Sequence, residues 1–175
     1  MKNIEFKVKI NDPRKIALSH LQGKMERLDQ TDYYFSYPKG RLKIRKQNNQ
    51  PYCEIIYYNR PNISASKISD YRIYRIPKKH LSDLIGAFTF IFSKPVIVKK
   101  IRRLGIIKNT RVHIDKVEKL GNFLELETVL NKTNMKIGMI EQAGIIKELR
   151  VSKYKKVKYS YVDLMRNYEN RRKQN

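Results

Sequence analysis

Four short stretches of this chain alternate charged and apolar residues so strictly that each must be an extended strand with one charged face. In Asn3–Ile10, the residues Glu5, Lys7 and Lys9 fall on one side, while Ile4, Phe6, Val8 and Ile10 fall on the other. Arg111–Asp115, Phe123–Glu127 and Arg41–Arg45 repeat the pattern. Side chains of a pleated strand point alternately to opposite faces, so period-two alternation sorts each set onto its own face. A solvated sheet face could carry such charges, but both signs recur in neighbouring strands with bulky aliphatics opposite. If the sheet closes on itself, the charges line a lumen and the aliphatics face outward under covering helices. A lumen holding several cations and a few carboxylates suits a polyanion bound with a divalent metal. That points to triphosphate chemistry.

The rest of the chain supplies enough strands for closure. Residues 2–10 form the first, ending at Asn11-Asp12-Pro13, where Asp12 can cap a helix with Pro13 at its first position. Ile16, Leu18, Leu21, Met25 and Leu28 then give an apolar stripe, which predicts a helix to about Asp29. Strands follow at 32–36 and 41–45 around the turn Pro38-Lys39-Gly40, then at 52–58 and 68–76. Asp70, Arg72 and Tyr74 share one face of that last strand, and Lys100 and Arg102 share a face with Val96 and Val98. A helix over 78–91 precedes strands at 95–103 and 109–117, with a turn at Leu104-Gly105, and an eighth strand at 120–130. Helices are expected near 132–144 and around Asp163-Leu164-Met165. The fold class is therefore mainly β (α+β): a closed eight-stranded antiparallel barrel with covering helices, which also removes exposed edges.

A chain of 175 residues forms one domain with a real core, taken as 1–169, followed by a polar, basic tail at 170–175 expected to be disordered. Net charge is +23, from 39 Lys and Arg against 16 Asp and Glu, which implies attraction to phosphate-rich partners. Part of that surplus is compositional, since the chain is rich in Lys, Asn, Ile and Tyr throughout. The single Cys53 excludes an internal disulfide and a Cys-based zinc site. No apolar run is long enough to span a bilayer, so no membrane association is expected, and a cytoplasmic monomer or homodimer is the reading.

The run Arg111-Val112-His113-Ile114-Asp115-Lys116-Val117-Glu118-Lys119-Leu120-Gly121-Asn122-Phe123-Leu124-Glu125-Leu126-Glu127 closely resembles the signature of the CYTH, or triphosphate tunnel, superfamily, and of its class IV adenylyl cyclase-like branch in particular. Further segments match that branch in order: Asn3–Lys7, Gln30–Phe35 with Gly40–Arg45, Tyr57–Pro61 with Lys67 and Ser69–Tyr71, and Ser160–Leu164. The resemblance implies a tunnel that binds triphosphate with Mg2+ or Mn2+. Activities in the superfamily include cyclisation of ATP, hydrolysis of thiamine or inorganic triphosphate, and removal of the RNA 5′ γ-phosphate. It implies Glu5, Asp115, Glu125 and Glu127 as metal ligands, and Lys7, Lys9, Lys43, Arg45, Arg60, Lys67, Lys100, Arg102 and Arg111 as triphosphate ligands. The superfamily's opening Glu-x-Glu-x-Lys reads Glu5-Phe6-Lys7-Val8-Lys9 here, with lysine in place of the second carboxylate. That puts a two-metal arrangement in doubt.

Plainer roles compete. Glu5 could pair with a strand lysine, and Asp115 shares a face with Arg111 and His113, so ion pairing competes with metal binding there. Glu125 and Glu127 repel on one strand face unless cations intervene. His113 reads as a hydrogen-bonding wall residue, and no catalytic base is identified. The function expected is a metal-dependent triphosphate enzyme, either a cyclase or a phosphohydrolase, acting on a substrate such as a nucleoside triphosphate. The alternative is a non-catalytic tunnel protein that binds RNA or the ribosome through basic clusters at Lys153, Lys155, Lys156 and Lys158 and at Arg171, Arg172 and Lys173.

Overall fold

The computed structural model describes residues 2–19, 21–63, 65–130 and 134–174. Eight antiparallel strands close into a barrel in the order β1-β5-β4-β3-β2-β6-β7-β8. They are β1 (Lys2–Ile10), β2 (Glu26–Phe35), β3 (Arg41–Gln47), β4 (Tyr52–Asn59), β5 (Lys67–Pro77), β6 (Val96–Ile107), β7 (Thr110–Val117) and β8 (Gly121–Val129). Helix α1 (Leu81–Phe92) follows β5, while α2 (Met135–Glu148) and α3 (Tyr161–Gln174) follow β8. None of the described helices is long and apolar enough to cross a membrane.

The alternation places the aliphatics outside and the charges within. Phe6, Val8 and Ile10 of β1 pack with Val112, Ile114, Leu124 and Leu126 beneath Ile145 of α2 and Leu149 at its C-cap. On the opposite flank, Phe35, Ile44 and Cys53 pack beneath Leu84, Ile85 and Phe88 of α1. A third cluster lies inside the barrel at one end, where Val98, Val117 and Phe123 meet Tyr34 together with Tyr161, Val162 and Met165 of α3. It works as a plug. Arg41 ties α3 down, since its Nη2 donates to Asp163 Oδ2 at 2.9 Å and its Nε to Ser160 Oγ at 3.2 Å.

Three expectations need correction. Among the described residues no helix spans 13–29: a 3-10 turn covers Pro13–Lys15, with Asp12 accepting from the Arg14 N–H, and Ile16 is already extended. Glu26–Thr31 instead continue β2, because β6 offers them a ladder from Glu26↔Leu104 to Thr31↔Lys99. Tertiary pairing overrides the local apolar stripe. Leu104-Gly105 is not a turn but the interior of β6, whose hairpin to β7 lies at Lys108, in the left-handed region with φ 54°. A Cβ on Gly105 would come within 2.6 Å of Leu21, so glycine there admits that side chain from the segment between β1 and β2.

On β5, Asp70, Arg72 and Tyr74 do share one face, the exposed one, while Ser69, Tyr71, Ile73 and Arg75 line the interior. The tail is helical through Gln174, and Arg171, Arg172 and Lys173 form its last turn, where cations complement the negative end of the helix dipole. The start of the expected helix at 132–133, and Asn175, lie outside the described residues.

One seam of the barrel is short. β1 pairs with β5 only over Lys2–Glu5. Beyond it the segment before α3 takes the free edge of β1: the Lys9 N–H donates to the Lys155 carbonyl and the Val157 N–H to the Lys7 carbonyl, both at 2.9 Å.

Candidate functional site

The barrel encloses a cavity of about 360 Å³. Its wall changes character along its length. At the plugged end stand Tyr34, Tyr161, Lys7, Lys43, Lys100 and Arg60, all buried. At the other end Glu26 and Arg75 are exposed, and Gln47, Gln50, Glu54 and Leu104 are partly so. The cavity is blind, with its cations deep and its mouth mixed.

Asp32 organises the deepest charges. It is fully buried on β2, and three cations from two neighbouring strands converge on it. Lys43 Nζ lies at 3.0 Å, Lys100 Nζ at 3.1 Å, and Arg45 donates through Nε at 2.7 Å and Nη2 at 2.9 Å. Those cations hold its carboxyl well below the usual range despite burial. One carboxylate cannot balance three cations, and burial with the adjacent Arg45 pulls the Lys43 ammonium down to about 7. Burial also pulls Lys100 down to about 8, partly offset by Asp32.

A second chain of pairs crosses the opposite wall. Arg102 grips Asp115 at two points, at 2.7 and 2.6 Å, and reaches Glu125 at 3.1 Å. The other oxygen of Glu125 meets Lys7 at 3.0 Å. Tyr161 donates to Asp115 at 2.8 Å, and its ring lies 4.0 Å beneath the Lys7 ammonium. Glu5 pairs with Arg60 at 3.2 Å. Each deep cation thus has a carboxylate partner, yet around Asp32 the cations still repel one another, so an entering polyanion would exchange carboxylates for phosphates and add the missing negative charge.

Mouthward of Arg102, donor atoms of His113, Glu125 and Glu127 all lie within 4.8 Å of one another. His113 is buried, its Nδ1 has no hydrogen-bond partner among the described residues, and Glu127 Oε1 stands 3.7 Å away. Burial and the nearby Arg102 pull the imidazole down to about 4, so it is neutral at pH 7 with a lone pair free to coordinate. Two carboxylates and a neutral imidazole fit a divalent cation.

A family model described as the CYTH domain matches residues 1–161. The chain belongs to the CYTH family. It is 30% identical to “Putative adenylate cyclase MJ0240” of Methanocaldococcus jannaschii, over 94% of this chain and 98% of that one. Its fold is similar to the PH1012 protein of Pyrococcus horikoshii, with a TM-score of 0.76, 24% identity, and 93% and 98% of the two chains covered. A conserved hypothetical protein of Pyrococcus furiosus shares the fold equally, with a TM-score of 0.76 and 16% identity over 93% and 99% of the chains.

Within this CYTH barrel the expected residues separate. Lys7, Lys43, Arg45, Arg60, Lys100, Arg102 and Arg111 line the cavity with Glu5, Glu125 and Glu127. Lys9 and Lys67 do not. Lys9 lies beyond the plug and is exposed, with Nζ 6.0 Å from the Phe123 ring centre. Lys67 donates to the carbonyls of Ile63, Val157 and Lys158, at 2.9, 3.4 and 3.2 Å, and so pins the short seam. An ammonium has three donors, and all three are used. Asp115 is occupied by Arg102 and Tyr161, leaving His113 in its place beside the two glutamates.

Asp32 carried no expected role, although it shares strand parity with Gln30 and Tyr34 and faces Arg45 across the β2–β3 hairpin. That parity was the available signal. Lys153, Lys155, Lys156 and Lys158 are exposed on the segment flanking β1, and Arg171, Arg172 and Lys173 are exposed on α3. Neither group lines the cavity.

Proposed function

We propose that this CYTH protein is a metal-dependent enzyme that takes a nucleoside triphosphate tail-first into its lumen and acts on the phosphate chain. The observation that carries this reading is the blind cavity whose deepest cations outnumber the carboxylate they share. Burying charge is costly unless it is balanced. A terminal phosphate beside Lys43, Lys100 and Arg45 supplies the negative charge that Asp32 alone lacks, with Arg45 offering planar donors and the lysines point charge.

Cyclisation is the reaction supported best. The group His113, Glu125 and Glu127 lies one register step mouthward of Asp115 and Arg102, on the side toward the head group. There His113, Glu125 and Glu127 would hold Mg2+ or Mn2+, with Mn2+ favoured by the imidazole donor, and the ion would supply Lewis-acid stabilisation of developing negative charge. Arg102 and Lys7, displaced from Glu125 by phosphate, would hold the leaving pyrophosphate. Hydrolysis of the terminal phosphate requires an attacking water at the deep end, where Val98, Phe123 and Tyr161 fill the barrel. The name carried by the 30% identical relative supports the same direction. Glu5 faces Glu127 across β1 and β8 and would serve as a further ligand once Arg60 turns to phosphate.

Assays of pyrophosphate and orthophosphate release, with ATP, thiamine triphosphate, inorganic triphosphate and triphosphorylated RNA, test the reading with each metal. Pyrophosphate and cyclic nucleotide are expected from ATP. Orthophosphate alone would make the protein a phosphohydrolase. Binding of RNA without turnover of any triphosphate would establish the non-catalytic alternative.

A further inference from the structure

We propose that Gln30 selects the head group by accepting a hydrogen bond from the exocyclic amino group of a purine base. This rests on the tail-first reading above. Gln30 is 4% exposed and stands in the cavity wall on β2. Its Nε2 donates to Gln47 Oε1 at 2.6 Å, while its own Oε1 has no partner among the described residues. Buried carbonyl oxygens are rarely left without a donor, and those that are call for an explanation. While the bond to Gln47 is made, the oxygen of Gln30 is the atom left to a ligand.

Its position suits a base rather than a phosphate. Gln30 is one lumen position mouthward of Asp32 on the same strand, about 7 Å along β2. Apolar side chains also stand in this wall among the polar ones. Leu28 of β2 lies diagonal to Leu104 of β6, and Ile56 of β4 pairs with Ile73 of β5 on another arc of the barrel. Inorganic triphosphate has no N–H to offer Gln30 and no apolar surface to offer these residues. A planar heterocycle has both, and adenine presents its amino group at an edge while both faces remain free to pack.

Calorimetry with ATP, purine riboside 5′-triphosphate and inorganic triphosphate, with and without Mg2+, tests this directly, because purine riboside lacks only the 6-amino group. ATP is expected to bind the wild-type protein about tenfold more tightly than purine riboside triphosphate, the scale of one hydrogen bond to a buried acceptor. Gln30→Leu, which keeps the volume, should erase that difference by weakening ATP. Equal affinity of the wild-type protein for the two nucleotides overturns the inference and leaves tail-first binding standing. If neither nucleotide nor inorganic triphosphate binds, both fall.

Discussion

Arg102 and Asp115 face each other across β6 and β7 through two parallel hydrogen bonds, Nε to Oδ1 at 2.7 Å and Nη2 to Oδ2 at 2.6 Å. Both side chains are buried, with Asp115 fully so. The pair binds a carboxylate that metal chemistry would otherwise claim. It also fixes the guanidinium so that its Nη2 still reaches Glu125.

Asp115→Asn should therefore act on stability first. Removing one partner of a buried pair leaves the other uncompensated, at a cost of about 3–5 kcal/mol. Denaturant unfolding should show that loss, while Mn2+ affinity of the folded fraction changes little. A variant of unchanged stability that no longer binds Mn2+ would restore Asp115 to the ligand set.

The two glutamates of β8 should respond differently. Glu127→Gln removes charge from the donor group, yet among the described residues Glu127 is ion-paired only with Arg111 and His113, both at 3.7 Å. It should abolish Mn2+ binding, followed by electron paramagnetic resonance, with the melting temperature nearly unchanged. Glu125→Gln strips a partner from both Lys7 and Arg102, so it should lower the melting temperature as well. Identical effects of the two changes would contradict this division.

Proton linkage follows from Lys43, whose ammonium titrates near 7 in the fold against 10.5 ordinarily. Burial lowers it most, Arg45 on its own strand and Lys100 from β6 add to that, and Asp32 from β2 opposes them, with Tyr34 and Tyr58 alongside. Between those two pH values the unfolded chain binds more protons, so this group's contribution to stability rises as pH rises from 7 to 10.5. Phosphate reverses the balance by favouring the charged form. Inorganic triphosphate should bind with proton uptake near pH 8 and weaken at higher pH, which calorimetry in buffers of different ionisation heat would detect. Lys43→Met should reduce the uptake, and uptake unchanged in that variant would count against deep binding beside Lys43.

Triphosphate should also stabilise the barrel. Ligand at about a hundred times its dissociation constant adds roughly 2.7 kcal/mol. A melting temperature raised by sulfate as much as by inorganic triphosphate or ATP would remove support for a built site.

Exposed cations should be separable from buried ones. Replacing Arg171, Arg172 and Lys173 by Ala should leave triphosphate affinity unchanged, since α3 presents them to solvent. Any RNA binding should weaken in that variant and fall steeply with salt. RNA binding that free triphosphate fully displaces would locate RNA in the lumen instead.

Strict alternation in β1, β3, β7 and β8 was enough to read a closed barrel and to sort Glu5, Lys7, Glu125 and Glu127 inward from Phe6, Val8, Leu124 and Leu126. Two-residue periodicity is a local property of extended backbone, so parity survives whatever the rest of the chain does. The spacing from Asp115 to Glu127 likewise carried the family. Three things were decided only in three dimensions. Residues 26–31 became strand because β6 lay ready to pair with them. Lys9 and Lys67 left the lumen because the Phe123–Tyr161 plug ends it and the short β1–β5 seam needed donors. Asp32 gathered Lys43, Arg45 and Lys100, Asp115 went to Arg102, and His113 joined the glutamates, because register across a closed sheet sets which side chains share a height in the lumen. Parity says which face a residue takes; only long-range pairing says whom it meets there.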